Sequence, residues 1–147
     1  MTRINSAIKA RFLTDEHLRA EHREIKRLPK NYEKRRESKK GLTDLPPKFT
    51  LGTGHVLFFL DKNRFTFERY QEVREECIKR GFSVEDYSQN WEKCRDHWNT
   101  YLPSKEEEQL LKDRISQRLE ESTKPCWHYY GKAITKQKAI KLLNQSE

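Results

Sequence analysis

The segment TDEHLRAEHREIKRLPKNY, residues 14–32, decides the fold of this 147-residue chain. Its apolar residues recur at the spacing of one helix face and are Leu18, Ile25, Leu28 and Tyr32. Thr14 precedes them and predicts the N-terminal cap, because a threonine hydroxyl accepts a hydrogen bond from a backbone amide of the first turn. Pro29 removes one helical hydrogen bond, so we expect it to kink or interrupt the helix.

Two further long helices are predicted downstream. Helical spacing of apolar residues covers residues 64–80, and Gly81 ends the pattern. Ser104 followed by Glu107 is a capping box, which predicts that a third helix begins there and ends near Ser122.

The segments between and after these helices are harder to assign. The apolar run Val56–Leu60 fits either a short buried strand or a turn that leads into a helix. We expect residues 82–103 to form a long, partly ordered connection and residues 124–134 an irregular aromatic and basic segment. Thr135 predicts the cap of an additional C-terminal helix within residues 135–147.

Together these patterns indicate an all-α protein, with no alternation typical of paired strands. The length fits one domain, residues 1–147. Residues 1–13 are expected to form an N-terminal arm whose apolar residues Ile4, Ile8 and Phe12 lie four apart.

Composition excludes several classes of protein. Only 33% of residues are hydrophobic and 37% are charged, but seven Phe, six Tyr and three Trp are more aromatic residues than a disordered chain carries. No run of 18 apolar residues could span a membrane, and the N-terminal residues lack the apolar stretch of a signal peptide. Three widely spaced cysteines suggest no disulfide framework. We therefore expect a cytoplasmic protein that is not bound to a membrane.

The positive charge is concentrated at the two ends of the chain. Residues 1–42 contain 13 Lys and Arg against 6 Asp and Glu, and residues 122–146 contain five lysines and no acidic residue. A concentrated positive field attracts a polyphosphate, because each phosphate that is neutralised releases a counterion. The charge favours a nucleic-acid partner over a basic surface without a specific partner.

Two segments near the N-terminus could carry chemistry. Removal of Met1 would leave Thr2 with a free α-amine, whose reference pKa of about 7.7–8.0 is far below the roughly 10.4 of lysine. Such an amine is a ready nucleophile toward a sugar carbon and would form an imine. On the helix, His17, Glu21 and Glu24 share one face, where a carboxylate could stabilise positive charge or remove a proton. The same spacing also fits an ordinary solvated helix with ion pairs.

Three other patterns stay open at this stage. The aromatic run Trp127–Tyr130 fits either stacking on bases or a tail docked on the core. Arg114 and Arg118, one turn apart, are either phosphate clamps or surface charge. Cys94 and His97 have a C-x-x-H spacing, but no zinc pattern accompanies them, so no metal site is expected.

Five segments in order along the chain resemble the phage endonuclease V type of pyrimidine-dimer DNA glycosylase with abasic-site lyase activity. They are MTRIN (1–5), EHLRAEHRE (16–24), LGTGHVLFFLDK (51–62), ECIKRGF (76–82) and WHYYGKAI (127–134). The resemblance implies a single compact all-α domain of three main helices with the N-terminal arm between them. It also implies double-stranded DNA with pyrimidine dimers or abasic sites as partner, action as a monomer, and no metal or cofactor.

The resemblance further implies roles for individual residues. The α-amine of Thr2 would attack the anomeric carbon at a cyclobutane pyrimidine dimer, and Glu24 would support the cationic intermediate and assist β-elimination. The residues implied or inferred to contact DNA are Arg3, His17, Arg23, Arg27, Arg114, Arg118, Trp127, Tyr129, Tyr130 and Lys132. Residues 25–32 are longer than the corresponding run of the family, so Lys26, Arg27 and Lys30 all remain candidates for the next phosphate contact.

Two other functions are kept beside this one. The chain could be a basic helical DNA-binding module that has retained the fold without the activity. It could also be a glycosylase of shifted damage specificity that uses the same imine.

Overall fold

The computed structural model of the chain describes residues 3–145 and places most of them in helices. The α-helices within that range are α1 (Asp15–Ile25), α2 (Arg27–Arg36), α3 (His55–Phe59), α4 (Asn63–Lys79), α5 (Lys105–Glu121) and α6 (Lys136–Leu143). Shorter 3₁₀ segments are Ala10–Phe12, Gly52–Gly54 and Ser88–His97. The strands are β1 (Trp127–Tyr129) and β2 (Lys132–Ile134), which pair antiparallel. The predicted all-α class is confirmed.

Helix α1 begins at the predicted cap and is interrupted as expected. Thr14 Oγ1 accepts a hydrogen bond from the backbone N–H of His17 at 3.2 Å. The helix breaks at Lys26, because Pro29 cannot donate to the carbonyl of Ile25 and its ring would clash with that carbonyl. Pro29 itself lies in the first turn of α2, where a helix needs no backbone donor.

The other predicted helices lie within a residue or two of their expected bounds. Helix α4 is followed by Gly81 at a φ of 88°, a left-handed conformation that favours glycine. Ser104 Oγ accepts from the backbone N–H of Glu107 at 3.2 Å and begins α5. Thr135 caps α6 by accepting from the backbone N–H of Lys138 at 3.1 Å.

Residues 127–134 form a β-hairpin, so the prediction of an irregular segment without paired strands was wrong. Trp127 lies opposite Ile134 in the register of the two strands. Tyr130 and Gly131 have φ values of 52° and 78°, as a two-residue hairpin turn requires. Each strand has only three residues, too few for an alternating pattern to show in the sequence.

Two other segments are resolved by tertiary packing. Within the predicted connection 82–103, Ser88–His97 forms a 3₁₀ helix whose Trp91 is buried and donates its indole N–H to Thr66 Oγ1 at 3.1 Å. The apolar run Val56–Leu60, for which a short buried strand and a turn leading into a helix were both open, lies largely within the short helix α3 itself.

The N-terminal arm lies inside the hydrophobic core. Ile4, Ile8 and Leu13 are at most 1% exposed. Ile4 packs with apolar side chains of α1 to α4, whereas Ile8 and Leu13 belong to a larger cluster shared by α1, α4, α5, α6 and the hairpin. Phe12 is only partly buried against that cluster. The predicted position of the arm among the main helices is therefore confirmed.

The long helices are charged on their outer faces. Within residues 3–145, α4 and α5 are the longest, with 17 residues each, and no helix there is apolar enough to cross a bilayer.

The predicted C-terminal helix is present as α6. The assignment of residues 1–147 to one domain stays a prediction.

A buried ion pair joins the arm to two helices. Arg69 of α4 donates two hydrogen bonds to the carboxylate of Glu21 on α1, at 2.7 and 3.0 Å, and both side chains are at most 2% exposed. A further N–H of Arg69 donates to the carbonyl of Ile8 in the arm at 2.6 Å. Burial alone would lower the pKa of Arg69, but the Glu21 carboxylate raises it, so the guanidinium stays charged.

Replacing Arg69→Met should reduce the free energy of unfolding by about 3–5 kcal/mol, because Glu21 would be left as a buried charge without its partner. Urea denaturation measures this loss. Arg64→Met on the same helix is the control, since Arg64 and Glu68 form an exposed pair 3.8 Å apart that should contribute about 0.5 kcal/mol or less. An equal effect of the two substitutions would contradict the role given to the buried pair.

Candidate active site

One face of α1 borders a small pocket that is closed by the arm and by α5. Its volume is ≈ 100 Å³, and its lining residues are Arg3, Asn5, His17, Ala20, Glu21, Glu24, Arg114, Ile115 and Arg118. His17, Glu21 and Glu24 reach it from a single helix face, as their spacing predicted. The structure thus brings three polar residues of α1 together with two from the arm, Arg3 and Asn5, and two from α5, Arg114 and Arg118.

Glu24 holds the beginning of the arm. The backbone N–H of Arg3 donates to Glu24 Oε1 at 2.9 Å. Thr2, the predicted nucleophile, lies outside the described residues, but the amide that joins it to Arg3 is the group in contact with Glu24. Glu24 is therefore in direct contact with the backbone of Arg3, the residue that follows Thr2 in the sequence.

Arginine side chains make the pocket electropositive. Arg114 is half-buried and donates to the side-chain oxygen of Asn5 at 3.2 Å. Burial lowers the pKa of Arg114, and the nearby charge of Arg3 lowers it further, although it stays charged at neutral pH. Arg118 is exposed at the rim. Since Glu21 is already paired with Arg69, Glu24 is the carboxylate that faces these cations, an arrangement suited to an anionic backbone.

His17 contributes a neutral ring to the pocket. Its Nδ1 lies 3.0 Å from Thr14 Oγ1, and the ring stacks on Trp127 with centroids 5.1 Å apart and an interplanar angle of 9°. Burial lowers the pKa of His17 to about 4. The side chain can therefore donate or accept a hydrogen bond at neutral pH without adding charge.

The β-hairpin is anchored beside the pocket by ion pairs and stacking. Arg80, which directly follows α4, donates to Asp15 at 2.9 Å and to Glu76 at 2.8 Å, and its guanidinium lies 4.7 Å and 4.8 Å from the ring centroids of Tyr129 and Tyr130. Asp15 also accepts from the backbone N–H groups of residues 130 and 131. The hairpin is thus held against α1 and α4.

The aromatic residues proposed to contact DNA are largely engaged within the protein. Trp127 is 8% exposed under His17, the Tyr129 hydroxyl donates to the carbonyl of Arg11 at 2.7 Å, and the Tyr130 hydroxyl donates to Glu76 at 2.7 Å. These contacts favour the docked tail, the alternative that the sequence left open. The part of Tyr130 that is exposed and the exposed Lys132 can still contact a ligand, and their role in DNA binding stays a prediction.

Arg23 and Arg27 are exposed and lie outside this pocket. A wider groove of ≈ 680 Å³ begins beside them, between α2 and the 3₁₀ helix that ends at His97, and it is lined by Lys26, Arg27, Pro29, Lys30, Glu33, Lys34, Glu37, Asn90 and Lys93. The three candidates for the next phosphate contact, Lys26, Arg27 and Lys30, all line it. The three side chains therefore lie on one surface, and all three remain candidates for the phosphate contact.

Sequence reasoning missed residues that the structure places at the site. Asn5 orients Arg114, His55 accepts a hydrogen bond from the arm, and Arg69 holds Glu21. Asn5 and His55 lie within the segments MTRIN and LGTGHVLFFLDK, whose resemblance to the family could have pointed to them. No local pattern showed that these side chains would face the arm.

The surroundings of Cys94 and His97 are not those of a metal site. Cys94 is buried, and His97 Nδ1 lies 2.7 Å from the Tyr32 hydroxyl. In the part of the chain from residue 3 to residue 145, no three His, Cys, Asp or Glu side chains group closely enough to hold a metal ion.

The chain was compared with models of known protein families. A family model described as pyrimidine dimer DNA glycosylase matches residues 1–90, which is more than half of the chain. The matched range includes the arm, α1 and α3, and therefore Arg3, His17, Glu24 and His55. Helix α5 and the hairpin lie beyond it.

The buried histidines should make the protein less stable in mild acid. Burial lowers the pKa values of His17 and His55 to about 4, against about 6.5 in the unfolded chain. Between these values the unfolded state binds more protons, so the free energy of unfolding should fall as the pH falls from about 6.5 to about 4.

Urea denaturation across this range measures the slope, and NMR of the imidazole protons locates each midpoint. His17→Gln should reduce the slope, since one of the histidines whose pKa burial lowers is removed, while His55 and His22 remain. Midpoints near 6.5 for both rings would contradict the expectation.

Proposed function

Because the chain belongs to the pyrimidine dimer DNA glycosylase family, and is therefore a DNA repair enzyme, we propose that it cuts DNA through an imine formed by Thr2. The proposed lesions are ultraviolet-induced cyclobutane pyrimidine dimers in double-stranded DNA. Family membership favours this function over the two alternatives that the sequence left open, a module without activity and a glycosylase of other specificity. We further propose that a single copy of the chain acts at each lesion.

In the first step the unprotonated α-amine of Thr2 attacks the anomeric carbon of the damaged nucleotide. A carbon–nitrogen bond to the amine forms, and the glycosidic bond breaks with its electron pair leaving on the base. One amine proton passes to the departing base and the other to the ring oxygen O4′ as the sugar opens, which leaves a neutral imine. Glu24 would stabilise the cationic sugar, because its carboxylate lies at the arm and faces the pocket.

In the second step the imine makes the C2′ proton of the sugar acidic. Glu24 would take this proton, and the bond from C3′ to its oxygen breaks with the electron pair leaving on the phosphate. The strand is then cut by β-elimination. Water hydrolyses the imine and returns the free amine of Thr2.

The basic residues around the pocket would hold the DNA backbone. Arg3, Arg114 and Arg118 line the pocket itself, and their guanidinium groups suit bidentate contacts with phosphate. We propose that His17, Arg23 and Arg27 extend this contact along α1 and α2, and that Lys132 extends it at the hairpin. Trp127, Tyr129 and Tyr130 would act mainly by holding the hairpin in place.

The observation that carries the proposal is the hydrogen bond from the Arg3 amide to Glu24 at 2.9 Å. It ties the residue that follows the proposed nucleophile to the proposed catalytic carboxylate. A chain that used only its helices to bind DNA would have no need of this contact. The carboxylate would then be free to form an ion pair on the surface.

Borohydride reduction of the protein on a duplex with an abasic site tests the imine. We expect a covalent adduct that mass spectrometry maps to Thr2, in protein from which Met1 has been removed. Acetylation of the α-amine should abolish the adduct while DNA affinity stays within a few-fold, because the amine would be unable to attack.

The acetylated protein is also tested on ultraviolet-irradiated plasmid. Nicking as fast as that by the unblocked protein would contradict the role of Thr2. Plasmids with oxidised or alkylated bases serve as the comparison for substrate specificity.

The substitution Glu24→Gln should lower the rate of strand cleavage by about 10²-fold or more while DNA binding is retained. The amide oxygen can still accept from Arg3, so the arm should stay in place, but the side chain cannot take a proton. Single-turnover cleavage measures the rate, and Glu68→Gln on the exposed face of α4 is the control. A cleavage rate close to that of the wild type would remove the proposed role of the carboxylate.

A further inference from the structure

His55 begins helix α3 and is buried beneath the N-terminal arm. His55 is only 2% exposed to solvent. Nδ1 lies 3.0 Å from the carbonyl of Thr50, and Nε2 lies 3.0 Å from the backbone N–H of Ile4. His55 lies in the segment LGTGHVLFFLDK and has no role in the two proposed chemical steps.

These two contacts determine the tautomer of the ring. A carbonyl can only accept, so Nδ1 must carry a proton and donate to Thr50. A backbone N–H can only donate, so Nε2 must carry the lone pair and accept from Ile4. The ring is therefore neutral, and burial supports this state by lowering the pKa of His55 to about 4.

The hydrogen bond from Ile4 is the second of two that hold consecutive amides of the arm. The amide of Arg3 donates to Glu24 on α1, and the amide of Ile4 donates to His55 on α3. The Ile4 side chain is fully buried, so this residue is fixed both by packing and by its backbone. Only the Cα and carbonyl carbons of Thr2 separate the α-amine from the first of these two amides.

We propose that His55 is a positioning residue for the nucleophile: by accepting from the Ile4 amide it sets the register of the arm, so that the Thr2 amine faces Glu24. This inference rests on the proposed function. His55 is buried, its described hydrogen bonds are to Thr50 and Ile4, and it would act through the backbone of the arm. A shift of about 1 Å in a reacting group can lower a rate about 10²-fold, so loss of one such contact can be measured.

The apolar surroundings of His55 do not by themselves account for a histidine. The rings of Phe49 and Phe59 meet the imidazole edge to face, with centroids 5.5 and 5.3 Å away. A phenylalanine at position 55 could make the same contacts. What it could not provide is the acceptor for the Ile4 amide, which separates the positioning role from a role in packing.

The experiment compares His55→Phe with His55→Gln. His55→Phe keeps an aromatic ring but removes the acceptor, and the single-turnover rate of borohydride-trapped adduct on an abasic duplex should fall about 10- to 100-fold. His55→Gln can present its amide oxygen where Nε2 lies and should restore most of that rate. Affinity for a duplex carrying a tetrahydrofuran abasic analogue should change less than two-fold in both variants.

His97→Phe is the matched control. His97 is half-buried, less than His55, and its ring likewise takes part in a hydrogen bond, with Tyr32 at 2.7 Å, but none of its described contacts reaches the arm. This variant should lower the thermal unfolding temperature and leave the trapping rate of the folded protein unchanged. A rate loss in His97→Phe equal to that in His55→Phe would show that lost stability alone explains the effect, and would overturn the proposal.

Two measurements keep the proposal falsifiable if His55→Phe does not fold. In the wild-type protein, NMR should detect a nitrogen–nitrogen coupling across the Ile4 to His55 hydrogen bond and ¹⁵N shifts of a ring protonated at Nδ1. A ring protonated at Nε2, without this coupling, would overturn the proposal.

The trapping experiment also distinguishes this failure from that of the proposed function. If the wild type forms no adduct at Thr2, the imine mechanism fails and the positioning role fails with it. If the wild type is trapped and folded His55→Phe is trapped at the same rate, the imine mechanism stands and only the role of His55 is lost.

Discussion

The buried contact between Arg69 and Glu21 is the interaction on which the rest of the structure depends. One guanidinium joins α4 to α1 and also binds the carbonyl of Ile8, so three parts of the chain meet at one point without solvent. The N-terminal segment of a protein is usually poorly ordered. Here it is drawn into the core, and the pocket beside Glu24 exists because the arm lies there.

Holding Arg3 and Ile4 in this way suits the proposed chemistry at the amine of Thr2. Two consecutive amides, those of Arg3 and Ile4, are bound by side chains of two different helices. An α-amine is less basic than a lysine, so the proposed reaction needs no buried lysine as its nucleophile. The resulting loss of conformational freedom is offset by burial of Ile4 and Ile8, which are at most 1% exposed.

The family match and the pocket do not cover the same part of the chain. The match ends at residue 90, whereas Arg114 and Arg118 reach the pocket from α5, and Trp127 supports His17 from the hairpin. The arm and the carboxylate therefore belong to the matched part, and much of the positive charge comes from outside it. The hairpin reaches the same place through Arg80, which is buried between Asp15 and Glu76.

The local features of the fold followed from the sequence. The caps at Thr14, Ser104 and Thr135, the interruption near Pro29 and the common face of His17, Glu21 and Glu24 depend on successive residues three or four positions apart. Interactions at that range are set by the backbone geometry of a helix, which is the same in every protein. The paired strands of the hairpin were missed because three residues carry too little pattern.

Only the tertiary structure decided which residues distant in the sequence are in contact. Ile4 meets His55 across 51 residues, Glu21 meets Arg69 across 48, and the backbone of His128 donates to Glu16 across 112. Whether a charged residue is solvated or buried with a partner depends on which helices pack together, and single-helix spacing contains no such information. The sequence by itself determined which residues share a helix face and could act together. The packing of the arm decided which of those residues make contacts at the site, because a hydrogen bond requires its two groups to be adjacent in space and not in the chain.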